Sequence, residues 1–180
     1  MHKQGEFNLL DGILTYFYLK GESIMARKFS LEIANAIENF LSKDDWHYQP
    51  CNDNGVIRMG ITLNCKFKRA DIYIGIDDDA FRILTIFPMT VDEDVRKDMA
   101  EFLTRANYGL RPCNFEMDFD DGEIRCKSFH NCADTIPTDQ QIQDALYYNI
   151  KIIERYGNGI AKIMFGIGTP TEVLKECENS

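Results

Sequence analysis

"CNFEMDFDDGEIRCK", residues 113–127, sets five carboxylates within eight residues, from Glu116 to Glu123, among alternating apolar side chains. It reads either as an acidic loop for a metal ion or as a turn between two strands. A calcium loop of the EF-hand type needs glycine at its sixth position and glutamate at its twelfth. Counted from Asp118, Gly122 is fifth and Phe129 is twelfth. The hairpin reading explains more. With Asp121-Gly122 as a two-residue type I′ turn, Phe119 faces Ile124, Met117 faces Cys126 and Phe115 faces Ser128. The other face then pairs Asp118 with Arg125 and Glu116 with Lys127, opposite charges worth about 0.2–1 kcal/mol a pair. The stretch is a hairpin, with an apolar inner side and a charged outer side.

The same alternation runs through the first half. In "VIRMGITLNCKF" (56–67), Ile57, Met59, Ile61, Leu63, Cys65 and Phe67 share one face. "DIYIGIDDDAFRILTIF" (71–87) folds back at Asp78-Asp79, pairing Ile76 with Phe81, Ile74 with Ile83 and Ile72 with Thr85. The turn signal "DNG" (53–55) and Pro50 make "WHYQ" (46–49) a short edge strand.

Helical spacing appears on either side of these strands. Phe29, Ile33, Ile37, Phe40 and Leu41 form one stripe, and Val91, Val95, Met99, Phe102, Leu103 and Ala106 another. Thr90-x-x-Glu93 fits a capping box for the second helix, Gly109 a stop, and Glu93/Lys97 and Glu101/Arg105 surface pairs. A third helix opens at Thr138-x-x-Gln141 and closes at Gly157, and a short fourth follows Thr169-Pro170 with Glu172 completing a box. The third is apolar around more than one side, so Tyr147 and Tyr148 are candidates for contact with another chain. The expected fold is α+β: an antiparallel sheet of five to six strands packed against helices, in the order α-β-β-β-α-β-β-α.

At 180 residues the chain is one domain in size, with 44% hydrophobic residues, enough for a core without staples. The formal net charge of -9 repels phosphate backbones, which argues against a nucleic-acid partner. The six cysteines form no C-x-x-C pair, and a reducing cytoplasm is the simplest compartment. "FNLLDGILTYFYL" (7–19) is interrupted by Asp11 and Gly12 and falls short of the roughly 20 residues that span a bilayer. It lacks the features of a signal peptide as well. Residues 1–24 are therefore read as an extension, either docking on the core or preceding a natural start at Met25 in "SIMARKF", and residues 25–180 as the domain.

Motifs of catalysis are missing. "YGNGIAKIMFGIG" (156–168) has Lys162 where a dinucleotide fingerprint needs its third glycine, and follows a helix; a helix end and loop is the expectation. His2, His47 and His130 are scattered, and His130 lies near Cys126 and Cys132 at a strand end. There is no G-x-S-x-G. No catalytic residue, metal ligand or cofactor is assigned.

The element order, with "WHY" (46–48), "FLTRANYGL" (102–110), "FEMDFDDGEIR" (115–125) and "TDQQIQDALYYNI" (138–150), resembles the YbjN family, bacterial proteins described as sensory transduction regulators. The resemblance spans about residues 28–170 and leaves residues 1–23 outside. It implies a type III secretion chaperone-like fold, with helices on one side of a curved antiparallel sheet, commonly dimeric. It also implies binding to extended segments of other proteins without a cofactor, and offers no catalytic residues to carry over.

The expected function is a non-enzymatic, homodimeric, cytoplasmic module that binds a protein or peptide partner, through Tyr147, Tyr148 and whichever sheet face the helices leave open. The alternative is a small-molecule sensor or enzyme with a pocket between helices and sheet that includes Asn107, Tyr108, Arg111 and Asn149.

Overall fold

Residues 71–87 fold back as the alternation requires: β3 (Arg69–Ile76) and β4 (Ala80–Ile86) pair antiparallel with Ile76 opposite Phe81, Ile74 opposite Ile83 and Ile72 opposite Thr85. The structure is a computed structural model and describes residues 29–179. The readings that concern residues 1–24 lie outside the described residues. Around the β3–β4 hairpin stand β1 (Tyr48–Gln49), β2 (Val56–Thr62), β5 (Asn114–Met117) and β6 (Ile124–Asn131). All neighbours are antiparallel, in the spatial order β1-β2-β3-β4-β6-β5. Of the four described helices, α1 (Leu31–Lys43), α2 (Arg96–Gly109) and α3 (Asp139–Met164) pack on one face, and α4 (Pro170–Glu178) packs on α2 and α3.

The core lies between that face and the helices. Ile57, Ile72, Ile74, Phe81, Ile83, Ile124 and Cys126 of the sheet meet Ile37 and Leu41 of α1, Met99 and Phe102 of α2 and Ile142, Leu146 and Ile153 of α3. Burying a side chain of this size stabilises the fold by about 1.5–3 kcal/mol. The alternate residues of the strands form the open face.

Three helix starts follow their capping chemistry. Ser30 caps α1, and reciprocal boxes form at Thr138/Gln141 and at Thr169/Glu172, with Pro170 in the first turn of α4. The second helix departs from expectation. Its regular part begins at Arg96 after a 3₁₀ turn, Glu93–Val95, with no side-chain cap, so Thr90-x-x-Glu93 is not the box. The reason is tertiary: Val91 is buried and its N–H donates to Gly122 O at 2.8 Å, which holds the segment before the helix in another course.

That bond also bears on the hairpin of residues 113–127. Met117 pairs with Ile124, Glu116 with Arg125, Phe115 with Cys126 and Asn114 with Lys127, two residues away from the expected register. The loop tip has four residues, closed by Asp118 N–H to Glu123 O and Gly122 N–H to Asp118 O, both 2.9 Å. Gly122 (φ +81) abuts Val91, where a Cβ would fall 2.2 Å from the Val91 oxygen. Arg96 donates to Val91 O and Phe119 O and ties the loop to α2. A shift of two preserves parity, so the inner and outer faces are as expected; Phe119 alone leaves the apolar side and is exposed.

Two more boundaries differ. β2 ends at Thr62, and residues 63–67 turn, with Lys68 at φ 62. α3 does not stop at Gly157 but runs two more turns to Met164, and Gly166 and Gly168 with positive φ end it.

Candidate functional site

The two glycines inside α3 show why the helix continues. A Cβ on Gly157 would stand 2.7 Å from Cys65 Sγ, and one on Gly159 2.5 Å from Cys177 Sγ and 2.8 Å from Phe102. They are contact points, where the β2–β3 loop and α4 press against the helix backbone. The helix's polar side chains then cap the loop: Glu154 Oε1 accepts from Asn64 N–H at 2.8 Å and Asn158 Oδ1 from Lys66 N–H at 2.9 Å. At α4, the Arg155 guanidinium donates to Cys177 O and Glu178 O, the carbonyls of the last turn, where a cation also suits the helix dipole.

Between these supports lies a groove of about 740 Å³, walled by Phe67 and the β4 exit residues Pro88 and Met89 on one side and by α3, Phe165, Ile167 and α4 on the other. Its apolar side chains face solvent: Phe165 is 67%, Ile167 56% and Met89 45% exposed. Lys162 pairs with Glu176 at one rim. Lys66 is exposed at the other, with no carboxylate partner among the described residues. Burial pushes the Cys177 thiol up, so this thiol in the wall is held protonated. The groove is suited to hold an apolar group beside an anion.

The expected contact residues stand elsewhere on α3. Tyr147 donates its hydroxyl to Asp44 Oδ2 at 3.0 Å and meets Trp46 edge-on, 6.0 Å between centroids, while Trp46 Nε1–H shares the same carboxylate. Burial and that carboxylate push the Tyr147 phenol up. Tyr148 next to it is 46% exposed.

The four residues of the alternative pocket are not gathered into one cavity. Asn107 is a clamp: its Nδ2–H donates to Phe115 O at 2.9 Å and its Oδ1 accepts from Phe115 N–H at 2.7 Å. Tyr108 is 96% exposed, and Arg111 is exposed in the turn that follows α2. Asn149 is sealed in the core, donating to Ser128 Oγ at 2.7 Å and Ala145 O at 2.9 Å. None of the four lines the α3–α4 groove. The groove was missed because its walls come from segments about 90 residues apart. The available signal was Phe165 and Ile167, large apolar residues in a stretch read as loop.

The open sheet face is mixed in charge. Arg69, Arg82, Arg125 and Lys127 are each paired, with Asp71, Asp77 and, for the last two, Glu116. Arg58 lies over the Tyr73 ring, 5.5 Å from its centroid. In the acidic loop, Asp118 and Asp121 accept from the backbone N–H groups of Asp120 and Glu123, so these carboxylates fix the turn.

No curated protein matches this chain. Among solved structures, the one described as "YbjN, a putative transcription regulator from E. coli" superposes with a TM-score of 0.52 at 11% identity, covering 72% of this chain and 95% of that one. At that identity the likeness shows the fold. A family model described as "Putative bacterial sensory transduction regulator" matches residues 34–162. That match takes in every described strand, all of α2 and most of α1 and α3, and the chain belongs to the YbjN family.

Proposed function

We propose that the chain is a non-enzymatic regulatory module of the bacterial cytoplasm that binds a protein or peptide partner through the α3–α4 groove. The observation that carries this reading is the exposure of Phe165, Ile167 and Met89 around one concave, mostly apolar site, with Lys66 at its rim without a carboxylate partner among the described residues. Apolar patches of this kind, edged by polar groups, mark surfaces that meet another molecule. An apolar segment with one acidic residue fits both features. The module works as a homodimer, and the exposed Tyr148, next to a Tyr147 fixed by Asp44, supplies the contact between copies. No described helix is long and apolar enough to cross a membrane.

A peptide array probed with the full chain tests the groove. Enrichment of apolar peptides carrying an acidic residue, lost in Phe165→Asp, supports it; binding indifferent to Phe165→Asp sinks it. The volume, within the roughly 300–1,000 Å³ usual for small-molecule sites, favours a second reading as a metabolite sensor. A thermal-shift screen separates the two, since a metabolite that raises the midpoint with no peptide doing so selects the sensor.

A further inference from the structure

The chain itself contains an apolar segment with one acidic residue. Nine of the thirteen residues at 7–19 are aliphatic or aromatic, and Asp11 is the only charge among them. The groove offers the complement: apolar walls at Met89, Phe165 and Ile167, and Lys66 at the rim. We propose that residues 7–19 occupy the α3–α4 groove of their own chain, with Asp11 beside Lys66, so that an external partner must displace them. The inference rests on the reading of the groove as a peptide site.

The connection is long enough. The described chain begins at Phe29, which packs against Gly55, and Ser30 N–H donates to Asp77 O, so it enters at the end of the sheet that holds the β3–β4 turn. The groove lies at the opposite end, where β4 leaves into Pro88 and Met89. Seven residues of β4 span about 23 Å at 3.3 Å a residue, and Pro88 and Met89 of the groove lie two and three residues beyond its end, a total of about 30 Å. Ten residue steps separate Leu19 from Phe29, and they reach about 33–36 Å when extended. The r.m.s. length of ten flexible residues, about 17 Å, is shorter than this span, so the tether runs nearly extended and the contacts of the segment itself must hold it in the groove.

Charge sets the polarity of seating. An exposed Asp–Lys pair contributes little energy, on the order of 0.2–1 kcal/mol, but a like-charge pair there disfavours the pose. A self-occupied groove also lowers the apparent affinity of any partner by the fraction of molecules in which it is open. The segment therefore acts as a competitor built into the chain.

The test places a photo-crosslinking phenylalanine analogue at position 165 of the full chain and maps the adducts at low protein concentration. The expected result is adducts within residues 7–19 of the same chain, reduced at least five-fold in Leu10→Asp/Phe17→Asp and in Asp11→Lys, with recovery when Asp11→Lys is combined with Lys66→Glu. Thermal midpoints of the variants, which alter exposed or tethered positions, check that the domain stays folded. Adducts that join two copies, or that map elsewhere in the chain, overturn the inference. A synthetic peptide of residues 5–22 is then titrated into the Leu10→Asp/Phe17→Asp chain. Saturable binding lost in Phe165→Asp, without intrachain adducts, sinks self-occupancy but leaves the groove a peptide site. No binding and no adducts sink both.

Discussion

Gly159 of α3 faces Cys177 of α4 so closely that a Cβ on the glycine would stand 2.5 Å from the sulfur, with Phe102 of α2 at 2.8 Å on another side. Three helices meet at one missing methyl group. The consequence for the groove is direct, since Gly159 and Cys177 both line it.

Gly159→Ala is expected to destabilise the domain. Alanine gains about 1 kcal/mol of helix propensity over glycine. Overpacking in a filled core costs about 1–3 kcal/mol, and here two neighbours must move, so the loss prevails. The thermal midpoint should fall by about 2–6 °C in a chain of this size. Gly109, with nothing within 4 Å of its built Cβ, is the control: Gly109→Ala should leave the midpoint unchanged or raise it. Equal effects at both sites would refute the packing account.

Asn107 gives the second expectation. β5 is an edge strand, and both backbone groups of Phe115 are taken by the Asn107 amide. An unpaired edge is a liability, so the clamp protects the sheet as well as fastening α2. Asn107→Ala should cost about 1–3 kcal/mol in chemical denaturation, with increased concentration-dependent aggregation. Asn107→Asp keeps the acceptor and loses the donor, and should fall between wild type and alanine. A neutral Asn107→Ala would show that the amide was not holding the strand.

Much of the fold is legible in the residues, and the errors share a physical cause. The β3–β4 register follows from isoleucine alternation around three aspartates, information local to one hairpin. The β5–β6 register depends on Val91 and Arg96, which hold the loop from outside it, so the Asp-Gly turn rule placed it two residues away. Gly157 and Gly159 carry the composition of a helix end, yet their meaning lies in Cys65 and Cys177, distant in sequence. The groove belongs to the same class. Phe67, Met89, Phe165 and Cys177 become neighbours only through the packing of the β2–β3 loop and α4 on α3. Asn107 and Asn149 read as pocket groups because a polar residue near an element end looks available, whereas Asn107 spends its amide on Phe115 and Asn149 is buried with its Nδ2–H groups donating to Ser128 and Ala145.

Glu116 and Glu123 should respond to acid with opposite signs. Burial works to raise Glu116, but hydrogen bonds from Lys127 and Arg125 and their charges outweigh it and hold the carboxyl below its usual range. Its contribution is fully present above the unfolded pKa, near 4.3, and is lost as pH falls through the folded value. Glu116→Gln should therefore cost about 1 kcal/mol at pH 7, allowing for partial solvent screening, and less at pH 3. Glu123 is raised by burial, with Asp121 and Asp118 adding to it against Arg125. Its ionised form is the unfavourable one in the fold, so Glu123→Gln should stabilise at pH 7 and lose that gain as pH falls through the raised pKa. Urea midpoints from pH 7 to 3 check both; parallel curves for the two variants would contradict the assignment.

Thiol chemistry distinguishes one cysteine from five. Cys51 is half-buried, at the start of the loop that leads into β2, its N–H donating to Glu38 Oε1 at 2.7 Å. Burial and the Glu38 charge raise its pKa, which slows attack but does not block access. Cys65, Cys113, Cys126, Cys132 and Cys177 are buried. Just before β5, the Cys113 thiol lies beside Cys126 of β6; interaction between the two sulfurs together with burial pushes Cys126 well up and lowers Cys113. A lowered pKa without access gives no reactivity, because the reagent must reach the sulfur. At pH 8 an aromatic disulfide reagent should modify one equivalent rapidly, and the remaining five should follow at the rate of opening of the fold. Cys51→Ser should remove the fast phase alone. If Cys113 reacted as fast as Cys51, the β5 edge would have to open far more readily than the Asn107 clamp allows, and the two expectations would fail together.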